Sequence, residues 1–305
     1  MRERLTEIID KCRPLYTQGK VARYIPDLAK ADPKILGVSV SNLEGDIFSA
    51  GDRDFRFSMQ SVSKLLSLAL ALELLGEETV FSHVGMNPIA DSFNSIVRLE
   101  IDYPHIPHNP LINAGAIVIV SILPYESAKE CFEAILNLSR EMTGNYNLKI
   151  NEKTFLSEKA TGDRNRSLAF FMKSVGTLKG NIEDILDVYF RECSIEATTE
   201  DLAIMGATIA SGGINPKTKK HVLSDKTCKI LRSLMATCGM YNASGEFAVR
   251  VGVPAKSGVS GVILATVPHR GGIAVVGPPL DSKGNSVTGI RVLEDIVNEF
   301  NLRIL

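Results

Sequence analysis

Leu5, Ile8, Ile9 and Cys12 recur at helical spacing near the start of the chain, so residues 2–19 read as a surface helix with one buried face. After the Pro-flanked stretch YIPDLAKADPK, the runs ILGVSVSN and IFSAG favour β-structure. The Gly-containing turn LEGD joins them, which predicts a hairpin over about 35–50. From Ser61 to Leu75 the pattern turns helical, with Gly76 placed as a C-cap glycine. ESAKECFEAILNLSREMTG, EDILDVYFREC and TTEDLAIMGATIASGG each carry helix start or stop signals, and residues 77–240 offer few convincing strands. Strand character returns in EFAVRVGVPAK, GVILATVP and GGIAVVG, each punctuated by Gly or Pro. A closing helix is expected over about 286–302, where Ile290, Leu293, Ile296, Val297 and Phe300 form an apolar stripe.

Strands at both ends of the chain with a helix-rich block between them imply an α/β chain of the α+β type. The most economical arrangement is one antiparallel sheet built from both ends, flanked by the terminal helices, with the middle block beside it. No internal repeat or low-complexity linker appears, so residues 1–305 are expected to form a single domain. Its sheet lobe would span about 1–60 and 241–305, and its helical lobe about 61–240. A cleft between lobes is a usual place for a small-molecule site.

Composition narrows the ligand. Thirty-four basic against 35 acidic residues leave a formal charge of −1, with no basic block, so neither nucleic acid nor an anionic membrane is an expected partner. The most apolar run, Leu65 to Leu75, is interrupted by Ser67 and Glu73 and falls short of the roughly 20 residues a span needs. The five cysteines (Cys12, Cys131, Cys193, Cys228, Cys238) are scattered and odd in number, which suits free thiols in a reducing compartment. With a charged, amphipathic N-terminus, a cytoplasmic location is expected. The histidines His83, His105, His108, His221 and His269 show no zinc spacing, and the Gly-rich stretches SGVSG and RGGIAVVG match no nucleotide motif. No metal and no cofactor is expected.

The helix opening at Ser61 reads SVSKLLSLALALELL. Ser61 and Lys64 are three apart, so on a helix their heads can meet. Such a pair usually opens a solvated helix, but this helix is apolar nearly all round and therefore buried. Desolvation and the positive end of the helix dipole both disfavour the protonated amine. A neutral amine beside a hydroxyl is a general base beside a nucleophile, and a helix N-terminus offers free N–H groups to an oxyanion. Lys256-Ser257-Gly258, at the start of a C-terminal strand, has the order of the K-[ST]-G element that accompanies S-x-x-K in serine β-lactamases and penicillin-binding enzymes. Their S-D-N element is missing. Ser92-Phe93-Asn94 is an imperfect S-x-N and is read as a helix-boundary turn rather than part of a site.

The stretches FSMQSVSK, NPLINAGAI, SEKATGDRNRSLAFFM, DVYFRECSI, GMYNASGEFA and PAKSGVSGVI together resemble the motifs of the serine-dependent glutaminases. The resemblance runs from YIPDLA, near residue 24, to the Gly-rich C-terminal strands. It implies a β-lactamase/transpeptidase-like fold, hydrolysis of L-glutamine to L-glutamate and ammonia, and assembly as a homodimer or homotetramer. The absence of S-D-N fits, since that family carries a tyrosine in that part of the site. Carried over position by position, the resemblance implies Ser61 as nucleophile and Lys64 as its base. It implies substrate contacts at Tyr24, Gln60, Ser61, Asn113, Glu158, Asn165, Tyr189, Tyr241 and Val259, with Tyr189 and Tyr241 able to relay protons to ammonia. The residue types suit free glutamine: a carboxylate such as Glu158 for its ammonium, and amides such as Asn113 and Asn165 for its polar groups. Two rival readings keep the pocket. One is a β-lactamase-like or other amide hydrolase on the same fold, and the other is a non-catalytic amino-acid-binding module.

Overall fold

A computed structural model describes all 305 residues. Five strands form one antiparallel sheet: β1 (Gly37–Asn42), β2 (Ile47–Gly51), β5 (Ala255–Gly258), β6 (Val262–Val267) and β7 (Gly271–Val276), in the order β2-β1-β7-β6-β5. Two short strands, β3 (Phe57–Ser58) and β4 (Glu196–Ala197), pair separately. The β1–β2 hairpin closes where Gly45 takes φ +101° and the Asn42 side chain accepts the N–H groups of Gly45 and Asp46 (2.9 and 2.8 Å).

One sheet face carries Val38, Ile263, Ala265, Ile273 and Val275, which pack with α1 (Arg2–Cys12) and α12 (Val287–Glu299). The alternate residues Val262, Leu264, Ala274 and Val276 face the helix-rich block. That block comprises α2 (Lys64–His83), α3 (Val97–Ile101), α4 (Asn113–Ile122), α5 (Ala128–Thr143), α6 (Glu152–Ala160), α7 (Asp163–Ser174), α8 (Ile182–Cys193), α9 (Thr199–Ala210) and α10 (Asp225–Cys238). Helix α9 lies directly on the sheet and starts in a capping box, in which Thr198 and Asp201 satisfy each other's backbone N–H groups. No helix is long and apolar enough to cross a membrane.

The structure departs from the sequence pattern at three places. The first helix ends at Cys12 and continues as a 3-10 turn over Arg13–Gln18, where Pro14 lacks the N–H that an α-helix needs. Gly76 interrupts the helix where the pattern places a C-cap glycine, at φ +79° and ψ 163°, but a second helical stretch follows at once and runs to His83. EFAVRVG is not a strand but falls in α11 (Ser244–Arg250) and the residues after it. There the apolar Phe247 and Val251, four apart, bury one helical face while Val249 is exposed.

Candidate active site

Strand β3 brings the chain in, and the Met59 N–H donates to the Ile195 carbonyl (2.8 Å), fixing the approach to a tight 3-10 turn over Gln60–Val62. Gln60 sits at φ +48°, a strained conformation for a residue with a Cβ, of the kind that gathers at functional sites. Strand β5 crosses close to this turn. A Cβ on Gly258 would lie 2.7 Å from the Met59 carbonyl oxygen, so only glycine fits there.

The turn leads straight into α2, whose first residue is Lys64. Lys64 Nζ donates to Ser61 Oγ at 3.1 Å and to Asn113 Oδ1 at 2.6 Å. Asn113 Nδ2 in turn donates to Asn165 Oδ1 at 2.9 Å. The first residue of α4 and a residue on the first turn of α7 thus hold the amine that faces the serine. Ser61 is 6% exposed and Lys64 fully buried. Burial pushes the Lys64 ammonium down to about 8, against the opposing pull of Cys193, Glu192 and Glu158.

The other candidates converge on the same point. Gln60 Nε2 donates to Glu158 Oε2 at 3.3 Å, and burial raises the Glu158 carboxyl to about 7. Tyr189 places its ring 5.8 Å from Lys64 Nζ. The Tyr241 hydroxyl donates to the Ser257 carbonyl (3.0 Å) and also lies near Ser61, on a residue held at φ +55°. Val259 follows β5, and its N–H donates to no protein group. The first hydrogen bond of the Ser61 turn is Val62 N–H to Met59 O, so the Ser61 N–H precedes the ladder and is free as well.

Tyr24 exposes 55% of its surface, yet its hydroxyl is enclosed near Glu158 and Tyr241, where burial raises its pKa well above the usual phenol range. The two observations describe different ends of one side chain, and the enclosed hydroxyl is the end that bears on ionisation. A cavity of about 540 Å³ opens beside it, with Tyr24, Phe93, Asn242 and Val259 among its walls. Ser61 is not part of that wall.

Two features went unread in the sequence. Ser92-Phe93-Asn94 is a turn, as expected, but it belongs to the site's surroundings. The Phe93 ring packs on Tyr241 (centroids 4.6 Å apart), and its carbonyl accepts the Asn113 N–H (3.0 Å). Lys256 and Ser257, noted only as a motif, are both fully buried. Lys256 Nζ lies 4.4 Å from the Tyr241 ring centroid and donates to the carbonyls of Ser257 (2.6 Å) and Gly239 (3.2 Å). The Ser257 hydroxyl has no partner.

A hydroxyl, a partly deprotonated amine, two free N–H groups and a buried acid gathered about the Ser61 turn can perform acyl transfer on a small amide. The family model described as Glutaminase matches residues 19–305. A Clostridium tetani glutaminase is 49% identical over 304 residues, covering 100% of this chain and 99% of that one. A Bacillus glutaminase crystal structure superposes with a TM-score of 0.93 at 40% identity, over 100% of this chain and 99% of that one. The Bacillus subtilis glutaminase solved as a covalent complex with 5-oxo-L-norleucine, formed from 6-diazo-5-oxo-L-norleucine, superposes with a TM-score of 0.91 at 38% identity, again over 100% and 99%.

Proposed function

The chain belongs to the glutaminase family and hydrolyses L-glutamine to L-glutamate and ammonia, and we propose that it does so through an acyl-enzyme on Ser61. Its fold is the β-lactamase-like fold of the glutaminase structures it matches, and the family match sets aside the β-lactam and non-catalytic readings. The observation that carries the mechanism is the 3.1 Å contact between Ser61 Oγ and the buried Lys64 amine. Neutral Lys64 takes the hydroxyl proton as Oγ attacks the side-chain amide carbon of glutamine. The N–H groups of Ser61 and Val259 hold the resulting oxyanion, a contribution of about 3 kcal/mol for each preorganised donor of this kind. The proton passes from Lys64 through Tyr241 to the amide nitrogen, the C–N bond breaks, and ammonia leaves. Water then attacks the ester, giving its proton to Lys64, and Ser61 is restored as glutamate departs.

Glu158 supports the substrate's ammonium, while Asn113 and Asn165 hold Lys64 and face the polar groups of the substrate. Gln60 orients Glu158, Tyr189 closes the pocket beneath Lys64, and Tyr24 covers it. Ammonia release by purified protein tests the scheme. Ser61→Ala should lower kcat by at least about 10⁴-fold with an unchanged circular dichroism spectrum, and undiminished turnover ends it.

The finer setting is a homodimer or homotetramer in the reducing cytoplasm. Five cysteines that are all free and buried support the compartment. The exposed apolar side chains Ile101, Tyr103 and Phe170 support a surface shared between copies. A monomeric mass by light scattering excludes the oligomer.

A further inference from the structure

Glu192 lies on α8, one turn after Tyr189, and none of its surface reaches solvent. Neither carboxylate oxygen accepts a hydrogen bond of good geometry, although the Ser67 hydroxyl bears on the carboxylate and lowers it. A buried acid left in that state is costly, so its retention calls for a reason beyond packing. Its surroundings supply one. Tyr189, one turn earlier on the same helix, holds its ring 5.8 Å from Lys64 Nζ, and from α2 the Lys64 amine and, one turn on, Ser67 bear on the carboxylate, the Ser67 hydroxyl lying 3.4 Å from the Lys64 carbonyl. From α5 comes the Cys131 thiol, from α6 Glu158, and from its own helix Tyr189 and Cys193. Lys256, on β5, bears on the same space through Lys64. Among these groups the cation in reach of Glu192 is Lys64, the amine that contacts Ser61.

We propose that Glu192 is a positioning residue for the reaction: enclosed beside Lys64, its carboxylate is the counter-charge against which Lys64 takes up and returns the serine proton. This role rests on the reading of Ser61 and Lys64 as nucleophile and base. The proton moves from Ser61 Oγ to Lys64 Nζ and back, and Glu192 exchanges no atom with substrate. A carboxylate at this place favours the ammonium form of Lys64, which makes the amine a stronger base. By the same charge it opposes ionisation of Glu158. Burial pushes Glu192 itself up to about 8, so acid and amine titrate over a shared range and each favours the other's charged form.

Glu192→Gln and Glu192→Leu remove the charge with little change of volume, and the leucine also removes the unpartnered polar oxygens. In both variants Lys64 loses its proton more readily, and Glu158 ionises more readily. The acid limb of the kcat/KM profile for glutamine therefore moves to lower pH, by about one unit. The plateau kcat falls several-fold, because the base is weaker. A role confined to packing would change the melting temperature or the yield and leave the limb in place. Reaction of the same preparations with 6-diazo-5-oxo-L-norleucine, with the adduct located by mass spectrometry, separates the two layers of argument. A label on Ser61 together with a displaced limb supports the role. A label on Ser61 with an unmoved limb in both folded variants overturns the role of Glu192 alone, and a label elsewhere overturns the reading on which it rests.

Discussion

The two faces of the sheet are built from the same kinds of strand residue, yet they bury different things. Towards α1 and α12 the interior is aliphatic and aromatic, and no charged side chain is fully enclosed. On the opposite side, around the end of β5 and the start of α2, Lys64, Lys256, Glu158 and Glu192 are all buried within the helical block or at its junction with the sheet. Enclosing an ionisable group costs stability unless its partners are well placed. The first face therefore holds the fold, whereas the second draws on that stability to keep groups in protonation states that water would not allow.

Lys64→Met should separate the faces most sharply. It deletes the proposed general base while filling its volume, so kcat should fall by about 10³–10⁴-fold. Below about pH 6, where Glu158 and Glu192 are protonated and need no counter-charge, an enclosed charge is replaced by an apolar chain and the melting temperature holds or rises. Coupled ammonia detection and calorimetry on one sample read both, and a folded variant with more than a tenth of native turnover would erase the distinction. Leu293→Ala, on the fully buried stripe of α12, should do the reverse. The cavity it leaves costs about 2–5 kcal/mol in denaturant unfolding, with kcat per folded molecule unchanged.

The first face was the easier to read in the sequence. Leu5, Ile8, Ile9 and the stripe Leu293, Ile296, Val297 show helical period because one side meets the sheet and the other meets water. EFAVRVG misled for a related reason: its β-favouring residues are few, and Phe247 and Val251 suit a helical face as well as a strand. At the second face the period fails, since α2 and α4 are enclosed on nearly every side. There the chemistry was visible through motifs, S-x-x-K and K-S-G, and through resemblance. Glu192 left no trace, because in DVYFREC an acid beside an arginine looks like the solvent side of an amphipathic helix. Only the packing of α8 against its neighbours turns it inward.

The contrast also sets opposite pH dependences for activity and stability. On the proposed mechanism Glu158 must be ionised to receive an ammonium and Lys64 neutral to accept a proton, so kcat/KM should rise through about pH 7 and about pH 8. For stability the signs run otherwise. Glu158 and Glu192 have folded values raised above the ordinary 4.5, to about 7 and about 8, so stability present below that ordinary value is lost as pH rises through these values. Lys64 is lowered from 10.5 to about 8, so its contribution recovers only above that pH. Asp27, Asp52 and Asp187, held low by hydrogen bonds and cations, act below pH 4 and leave this range alone. Calorimetry from pH 5 to 8 should show a loss of a few kcal/mol, about 5 °C, as activity appears. A melting temperature that climbs over that interval would contradict the assignment of buried acids to this face.

The smallest effect concerns the rim. The segment bearing Tyr24 is tied to α6, since Asp27 accepts the Thr154 hydroxyl (2.7 Å) and its N–H donates to the Ser157 hydroxyl (3.1 Å), one residue before Glu158. Tyr24 thus has an anchored backbone, an outward ring face and an inward hydroxyl. Phenylalanine keeps the ring and the anchor and removes only the hydroxyl, so the cover remains while its link to the interior is lost. The expected change is several-fold, the size of one hydrogen bond, and it should fall on KM and kcat together, because covering and uncovering the site enters both. A change in KM alone would make the hydroxyl a simple substrate contact, and no change in either constant would leave Tyr24 as packing. Val249→Ala, at an exposed position of α11, is the matched control on the apolar side and should move neither constant.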